Sequence, residues 1–518
     1  MKNKILPSIL MCCGAFFAQA QNAFTEMDGN NTAVQLSTGG VFFNDVVNSS
    51  SGFEYPAGSS QYLIFATSFW FGGTDVNNQL KFAGQMYAGG EDLYTGPLTT
   101  TGAAEITPSV QMAYDVMWTV SKAEIDDHIQ NYNTSGYVMP FGIAQWPAHG
   151  DAAQDQDFYL APFVDVNSND IYDPENGDYP LIRGDVATYL IMNDKADLHF
   201  NSGGDIIGME AHFMFYQYET QDDLNNTTFV NIKLINRGTQ TLYDFSVGAF
   251  LDADIGDPND DFFGSDSTLN MMYIYNGDSL DNIYDAQAPA IGMVSLNHDL
   301  YTAGSYSNFS GPAGLPLTAS EYYLNLQGYH RDGSPRTLGG YGHGGTVANK
   351  FQFHGDPNTV GEWSEVDEGN LPTDKRAMLS TTPFVLVPNA EICYDFAFVV
   401  GDGGNHLENV AHLKSAVNFV QDFYDNQTYT CENYEDVLSV TPNQLSELLM
   451  YPNPSHDQFT IEATGDFELR VLNLLGQEIV DLGTYSGKVS IQHEFNPGMY
   501  FIEVSQNGVR ELLKLQVE

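Results

Sequence analysis

The chain has 518 residues, with 67 acidic against 18 basic side chains and a formal net charge of −49. So strong a negative charge repels nucleic acid and anionic lipid, which argues against those two classes of partner. Disorder is another common cause of high net charge, but 42% of the residues are hydrophobic and 13% are aromatic, which is ample for a folded core.

The N-terminus has the pattern of a secretory signal peptide. Two lysines and the apolar run Ile5–Phe17 precede a small-residue cleavage site at Ala18-Gln19-Ala20. We therefore predict a signal peptide over residues 1–20. Acylation of Cys12 or Cys13 is an alternative that the neighbouring residues disfavour. No later apolar run reaches the roughly 18 residues that a membrane-spanning helix needs, so we expect no transmembrane segment.

Residues 21–435 predict an all-β body of two or more sandwich-like units. Alternation of apolar and polar residues is typical of strands with one wet face, and the chain shows it repeatedly. The main strand candidates are Tyr62–Phe71, Ala211–Tyr218, Thr228–Ile235, Leu242–Phe250 and Phe384–Val387. Capping boxes at Ser121/Glu124 and Asn405/Glu408 predict two helices that cover the sheets.

The first candidate metal site is the loop 165–180. Oxygen-bearing groups recur there in the one, three, five, nine rhythm of a calcium loop, with a main-chain carbonyl and a closing carboxylate. The predicted ligands are Asp165, Asn167, Asn169, Ile171, Asp173 and Asp178. The loop resembles those of dockerins and thrombospondin type 3 repeats more than an EF-hand. The alternative is an Asx-rich loop whose side chains hydrogen-bond to the backbone.

A second acidic cluster directly follows the strand candidate Leu242–Phe250. Its members are Asp252, Asp254, Asp257, Asp260 and Asp261. Carboxylates this dense in one loop repel one another unless a cation lies between them. A calcium site and a solvated acidic loop are the two interpretations.

The cysteines predict at most one disulfide, and the sequence contains none of the catalytic motifs considered below. Cys393 and Cys431 remain after removal of the leader, and an oxidising compartment favours a disulfide between them; two unpaired buried thiols are the alternative. The histidines lack zinc-site spacing, and no nucleophile elbow, P-loop or dinucleotide glycine pattern occurs. We therefore nominate no catalytic residue.

The last part of the chain predicts a small, separate antiparallel sandwich. Residues 436–446 are polar and form a linker, and residues 447–518 contain short alternating runs. Turn residues separate these runs, for example at Gly465-Asp466 and Ser486-Gly487. We therefore predict an immunoglobulin-like β-sandwich over residues 447–518.

Particular segments of this tail are more specific than its pattern of alternating residues. It contains Tyr451-Pro-Asn-Pro454, Leu474–Glu478 and Pro497–Tyr500. These segments resemble the type A C-terminal sorting domain of type IX secretion substrates. The resemblance implies recognition by the type IX secretion machinery, export across the outer membrane of a Gram-negative cell, and removal of the tail. It also implies attachment to surface lipopolysaccharide, or release.

The body resembles large, uncharacterised secreted proteins that carry the same tail. The resemblance rests on scattered segments such as Trp146–Asp151 and Gly177–Pro180, and it brings no activity with it. We expect an exported or cell-surface protein that is structural, adhesive or ligand-binding, with calcium-stabilised loops. The alternative is a secreted hydrolase that acts on polysaccharide or protein.

Overall fold

The computed structural model describes residues 22–87, 91–307, 311–427, 448–472, 478–493, 495–506 and 509–517. The predicted signal peptide, the linker 436–446 and Cys431 lie outside these residues. The chain divides into two compact units. The larger unit holds nearly all of the body, and the smaller holds the tail with the short segment Val164–Ser168. No helix in the described ranges has the length and apolar character that crossing a membrane requires.

The body consists mainly of antiparallel strands. In chain order they are β1 (Phe24–Met27), β2 (Ala33–Ser37), β3 (Asn44–Asp45), β4 (Ser50–Ser51), β5 (Phe53–Glu54), β6 (Tyr62–Thr74), β7 (Leu80–Ala83), β8 (Tyr94–Thr95), β9 (Trp118–Ser121), β10 (Phe163–Val164), β11 (Tyr179–Pro180), β12 (Val186–Asn193), β13 (Met209–Gln217), β14 (Thr227–Asn236), β15 (Leu242–Ala253), β16 (Asp261–Asp266), β17 (Met271–Asn276), β18 (Ala290–Ser295), β19 (Leu300–Tyr306), β20 (Arg376–Thr381), β21 (Phe384–Leu386) and β22 (Glu391–Gly401). The helices are α1 (Pro108–Ala113), α2 (Lys122–Asn131), α3 (Phe141–Ala144), α4 (Ala319–Leu326), α5 (Glu365–Glu368) and α6 (His406–Asp425).

Within the described residues, the body has two nine-stranded sheets. The first runs in the order β1-β2-β5-β6-β15-β20-β19, with β7 paired to β6 and β21 paired to β15. The second runs in the order β16-β17-β18-β22-β14-β13-β12-β8, with β9 paired to β12. Strands distant in sequence thereby become neighbours, which is how residues far apart in the chain reach one site.

The main core lies between the two sheets. Leu251 and Ala253 of β15 are fully buried in the same apolar cluster as Phe213 and Phe215 of β13. Side chains alternate between the faces of a strand, so the intervening residue Phe250 points to the outer face of the first sheet. There it joins a second apolar cluster, which contains residues of α4. At Phe250 the first sheet is therefore covered by apolar side chains on both faces.

Both predicted capping boxes are confirmed. At the start of α2, the Glu124 amide donates to Ser121 Oγ at 3.2 Å and the Ser121 amide donates to Glu124 Oε2 at 2.8 Å. Asn405 and Glu408 make the same reciprocal pair at the start of α6. The apolar face of α6, which includes Leu413, is buried and packs on β17, β18 and β22.

The tail forms a five-stranded antiparallel sheet in its described residues. The strands are β23 (Leu449–Tyr451), β24 (Gln458–Leu472), β25 (Glu478–Gln492), β26 (Gly498–Gln506) and β27 (Val509–Val517). The predicted turns at Gly465-Asp466 and Ser486-Gly487 are wrong, because β24 and β25 continue through them. A register shift near Gly465, whose φ is +84°, lets the strand bulge without ending. The predicted all-β fold class, with covering helices and a β-rich tail, is confirmed.

Candidate metal centre

The candidate site lies on the outer face of the first sheet, where β15 ends. Because Leu251 and Ala253 face the core, Asp252 points outward, and Asp254 follows two residues later. On the neighbouring strand β20, Arg376 lies directly opposite Asp252. The apolar cluster on this outer face includes Phe250 but not Asp252 or Arg376. Charged side chains therefore occupy the outer face beyond Phe250.

Three carboxylates converge at this point. One oxygen each from Asp252, Asp254 and Asp374 lies within 4.8 Å of the other two. Asp252 is buried, with 1% of its surface exposed, and the other two are half-buried. A cavity of about 600 Å³ opens beside them, with Phe65 and Tyr87 among its walls. The three oxygens therefore face a space large enough for an ion and further ligand atoms.

Tyr87 and Arg376 hold one side of the site. The Arg376 Nε–H donates to the Tyr87 hydroxyl at 2.9 Å, and that hydroxyl donates to Asp252 Oδ2 at 2.7 Å. Arg376 Nη2 lies 3.3 Å from the same oxygen, and Nη1 contacts Asp374 Oδ1. Burial and the charge of Asp252 raise the pKa of Tyr87, so the hydroxyl stays protonated and available as a donor.

The other carboxylate oxygen of Asp252, Oδ1, has a different environment. Asp252 Oδ1 is buried and has no hydrogen-bond partner among the described residues. An unpaired buried carboxylate oxygen is costly, and a bound water or ion is one way to satisfy it. The geometry therefore leaves this oxygen available to a further ligand atom.

The carboxylates have unusual electrostatics. Burial raises the pKa of Asp252 to about 6, with Arg376 acting in the opposite direction. Burial and the charges of Asp252 and Asp374 raise the pKa of Asp254 to about 8. In the absence of a counterion the group therefore resists full ionisation, and a bound cation would relieve the repulsion.

The predicted acidic cluster is divided in the structure. Asp252 and Asp254 reach the site, whereas Asp257 accepts from the Asn259 amide of its own loop at 3.1 Å and from Asn282 in the loop after β17. Asp261 is the first residue of β16 in the second sheet, and Asp260 directly precedes it. The third carboxylate, Asp374, was not predicted, since only the pairing of β15 with β20 brings it there.

The predicted loop at 165–180 falls in both units, because Asp165 and Asn167 belong to the short segment grouped with the tail. In the larger unit its side chains are hydrogen-bonded locally. Asn169 Oδ1 accepts from the Ile171 amide at 2.8 Å, and the Asp173 amide donates to Asp178 Oδ2 at 2.9 Å. Asp173 Oδ2 also accepts from Asn169 Nδ2 at 3.2 Å. These bonds are those of an Asx-rich loop, and calcium binding here stays a prediction.

Cys393 is disulfide-bonded. The predicted partner, Cys431, lies outside the described residues. Cys393 is part of β22, which pairs with β14 and β18 near the middle of the second sheet. A disulfide at this position constrains a central strand of the body.

Three solved structures are similar to the chain at low identity. A polysaccharide lyase is 8% identical over 60% of this chain and 34% of its own length, with a TM-score of 0.19. A putative aldose 1-epimerase from Escherichia coli K12 is 10% identical over 73% of this chain and 99% of its own, with a TM-score of 0.24. The BSP domain of a biofilm associated protein is 10% identical over 87% and 81%, with a TM-score of 0.14. Similarity this low carries no argument about function.

No curated protein matches the chain. Residues 449–518, in contrast, match the family model described as the secretion system C-terminal sorting domain. This match covers the tail, where the sequence resembles the type A sorting domain, and leaves the body unassigned. The tail supports the identification of the chain as a substrate of type IX secretion, sent out of the cell or to its surface.

Proposed function

We propose that this chain is an exported ligand-binding protein of the cell surface, whose body is stabilised by calcium bound to Asp252, Asp254 and Asp374. The observation that carries the proposal is the convergence of three carboxylate oxygens within 4.8 Å of one another beside an open cavity. The buried, unpartnered Oδ1 of Asp252 supports the same conclusion.

The spacing and chemistry of the donors favour calcium. Calcium binds oxygens at about 2.4 Å, so two oxygens on one ion are at most about 4.8 Å apart. The three donors meet that limit and are all carboxylates, the hard ligands that calcium prefers over softer nitrogen or sulfur. Calcium takes six to eight ligands, and the cavity leaves room for water or for oxygen atoms of an external ligand.

The charge balance points the same way. Three ionised carboxylates beside one guanidinium leave two negative charges uncompensated at the site. A divalent cation neutralises this excess, whereas a monovalent ion would leave repulsion among half-buried groups. The overall net charge of −49 adds a long-range attraction for cations.

Calorimetry on the purified exported protein tests the proposal. We expect calcium to bind with a dissociation constant of about 0.1–1 mM, the range of extracellular calcium modules. At about 100 times that constant, binding stabilises the fold by about 2.7 kcal/mol and raises the melting temperature. Asp254→Asn should weaken calcium affinity at least about tenfold, a loss of 1.4 kcal/mol.

Asp244→Asn is the matched control, because Asp244 is an exposed acid on the same strand. It makes the same charge change away from the cavity and should leave calcium affinity unchanged. Equal losses in both variants would show that calcium responds only to net charge. No heat of binding and no melting shift in the native protein would overturn the proposal.

Surface binding is the second part of the proposal. It is supported by the sorting tail and by a cavity whose wall combines aromatic and charged side chains, which suits an oxygen-rich ligand such as a sugar. A glycan array probed with the protein in calcium and in chelator tests it. Calcium-dependent binding to defined glycans is expected. Failure to bind any glycan or surface component would contradict it.

A secreted hydrolase is the alternative, and one observation favours it. Burial raises the pKa values of Asp252 and Asp254, and the charge of Asp252 raises that of Asp254 further, so the pair favours one ionised and one protonated carboxyl over two ionised ones. Such a pair has the groups needed for general acid and base catalysis. Release of reducing ends or peptides from a polymer panel, lost in both Asp252→Asn and Asp254→Asn, would favour this alternative over a binding role.

A further inference from the structure

Asp261 and Asn276 lie opposite each other at one end of the second sheet. They are a register pair of β16 and β17, so their side chains point to the same face. Phe263 and Ile274, two residues further along these strands, lie in the core between the sheets. Asp261 and Asn276 therefore point into the end of the sandwich, and both are fully buried.

Two oxygen atoms of this pair lack partners. Asp261 Oδ2 accepts from the Ile255 amide at 3.2 Å, and Asn276 Nδ2 donates to the Asp278 carbonyl at 3.0 Å. Asp261 Oδ1 and Asn276 Oδ1 have no hydrogen-bond partner among the described residues. When Asp261 is ionised, both oxygens are acceptors and cannot satisfy each other, and their burial removes them from bulk water. Something positive between them would satisfy both.

A third oxygen lies at the same strand ends. Asp260 Oδ1 is buried and has no hydrogen-bond partner in the described part of the chain. The Gly277 amide donates to the Asp260 carbonyl at 2.6 Å, which fixes Asp260 beside the residue that follows Asn276. The charge of Asp281 also acts on Asp260 and Asp261. The carboxylate oxygens of Asp281, however, already accept from the amides of residues 257, 283 and 284.

We propose that Asp260, Asp261 and Asn276 form a second binding site for a hard divalent cation such as calcium. The site keeps two members of the predicted acidic cluster and adds Asn276, which local sequence pattern did not indicate. It shares no side chain with the group Asp252, Asp254 and Asp374.

The ion would join two parts of the body. Asp261 begins β16 and is already bonded to the Ile255 amide, which follows β15 of the first sheet. An ion on Asp261 and Asn276 would hold this connection at the open end of the sandwich. We expect the second site to stabilise the fold rather than contact an external ligand, because Asp261 and Asn276 are fully buried.

Counting bound ions tests the proposal. The full exported protein is dialysed against calcium, and the bound metal is measured by inductively coupled plasma mass spectrometry. The native protein should hold two calcium ions per chain at these two sites. Asp261→Asn should lose one ion and Asp254→Asn should lose the other. Loss of an ion in Asp254→Asn but no loss in Asp261→Asn would overturn the second site and leave the first intact. The reverse result would overturn the first site alone.

A protonated Asp261 that hydrogen-bonds to Asn276 is the competing explanation. In that case Asp261→Asn would melt like the native protein in calcium as well as in chelator. The cation site requires instead that the calcium-induced rise in melting temperature shrinks in Asp261→Asn. If that variant does not fold, Asn276→Asp provides a second test, because a third carboxylate should strengthen calcium binding several-fold. Unchanged binding in Asn276→Asp would overturn the proposal.

Discussion

The Tyr87 hydroxyl donates a hydrogen bond of 2.7 Å to Asp252 Oδ2. The same hydroxyl accepts from Arg376, so one neutral group links the cation and the anion. This arrangement fixes the carboxylate with Oδ2 toward its protein partners and leaves Oδ1 without one among the described residues. Tyr87 thus positions Asp252 without needing to touch a bound ion.

Replacing Tyr87 by phenylalanine tests this positioning. Loss of a hydrogen bond to a charged group in a buried site should lower the free energy of unfolding by about 1.5–3 kcal/mol. Calcium affinity should fall as well, because Asp252 would be held less firmly. Chemical denaturation and calorimetry measure the two effects. Tyr243→Phe is the control, since Tyr243 is exposed on β15, and it should change neither quantity.

Only part of the candidate site could be predicted from the sequence. Asp252 and Asp254 stand out because a dense acidic run follows a strand pattern. Asp374 lies more than a hundred residues later and reaches them through the pairing of β15 with β20. Tyr87 comes from a third segment. Residue spacing within one segment does not predict contacts that depend on strand pairing. The only feature of the sequence that pointed to Asp374 is the charged triplet that it forms with Lys375 and Arg376.

The fold was more predictable where local physics decides it. Capping boxes depend on residues three apart, and both of the predicted boxes are confirmed. Strands such as β14 match the predicted Thr228–Ile235 within a residue at each end. The tail strands were divided wrongly at Gly465, because a bulge glycine and a turn glycine look alike in sequence.

The packing of α6 on the second sheet provides another test. Leu413 is fully buried under the helix, whereas Phe419 on the same helix is 39% exposed. Leu413→Ala removes buried methyl groups and leaves a cavity, so it should lower the free energy of unfolding by about 2–5 kcal/mol. Phe419→Ala should cost well under half as much. Equal costs in denaturant melts would contradict the observed orientation of α6.

Export should depend on the tail. A chain that ends before residue 449 lacks the segment matched by the sorting-domain model. We expect it to remain inside the cell envelope, whereas the full chain appears at the surface or in the medium. Immunoblots of cell fractions measure the distribution. Efficient export of the truncated chain would show that the tail is not the export signal.

A buried ionic network in the body predicts a dependence of stability on pH. Glu210 of β13 is fully buried, and its Oε1 accepts from His212 Nε2 at 2.9 Å and from Arg237 Nη2 at 2.8 Å. Its Oε2 accepts from the Leu98 amide at 2.6 Å. Burial raises the pKa of Glu210, but the interactions with His212 and Arg237 outweigh it and lower the pKa to about 2.

The pKa of Glu210 in the folded state lies below its ordinary value of 4.5. The ionised form of Glu210 therefore stabilises the folded state, and this stabilisation is complete above pH 4.5. The contribution is about 3 kcal/mol and is lost as pH falls from 4.5 toward 2. Glu210→Gln should therefore be less stable than the native protein by about this amount at pH 7, and the gap should close in acid. Urea melts across this pH range measure it. Glu219→Gln, an exposed control, should stay close to the native protein throughout, and a gap for Glu210→Gln that did not change with pH would contradict the argument.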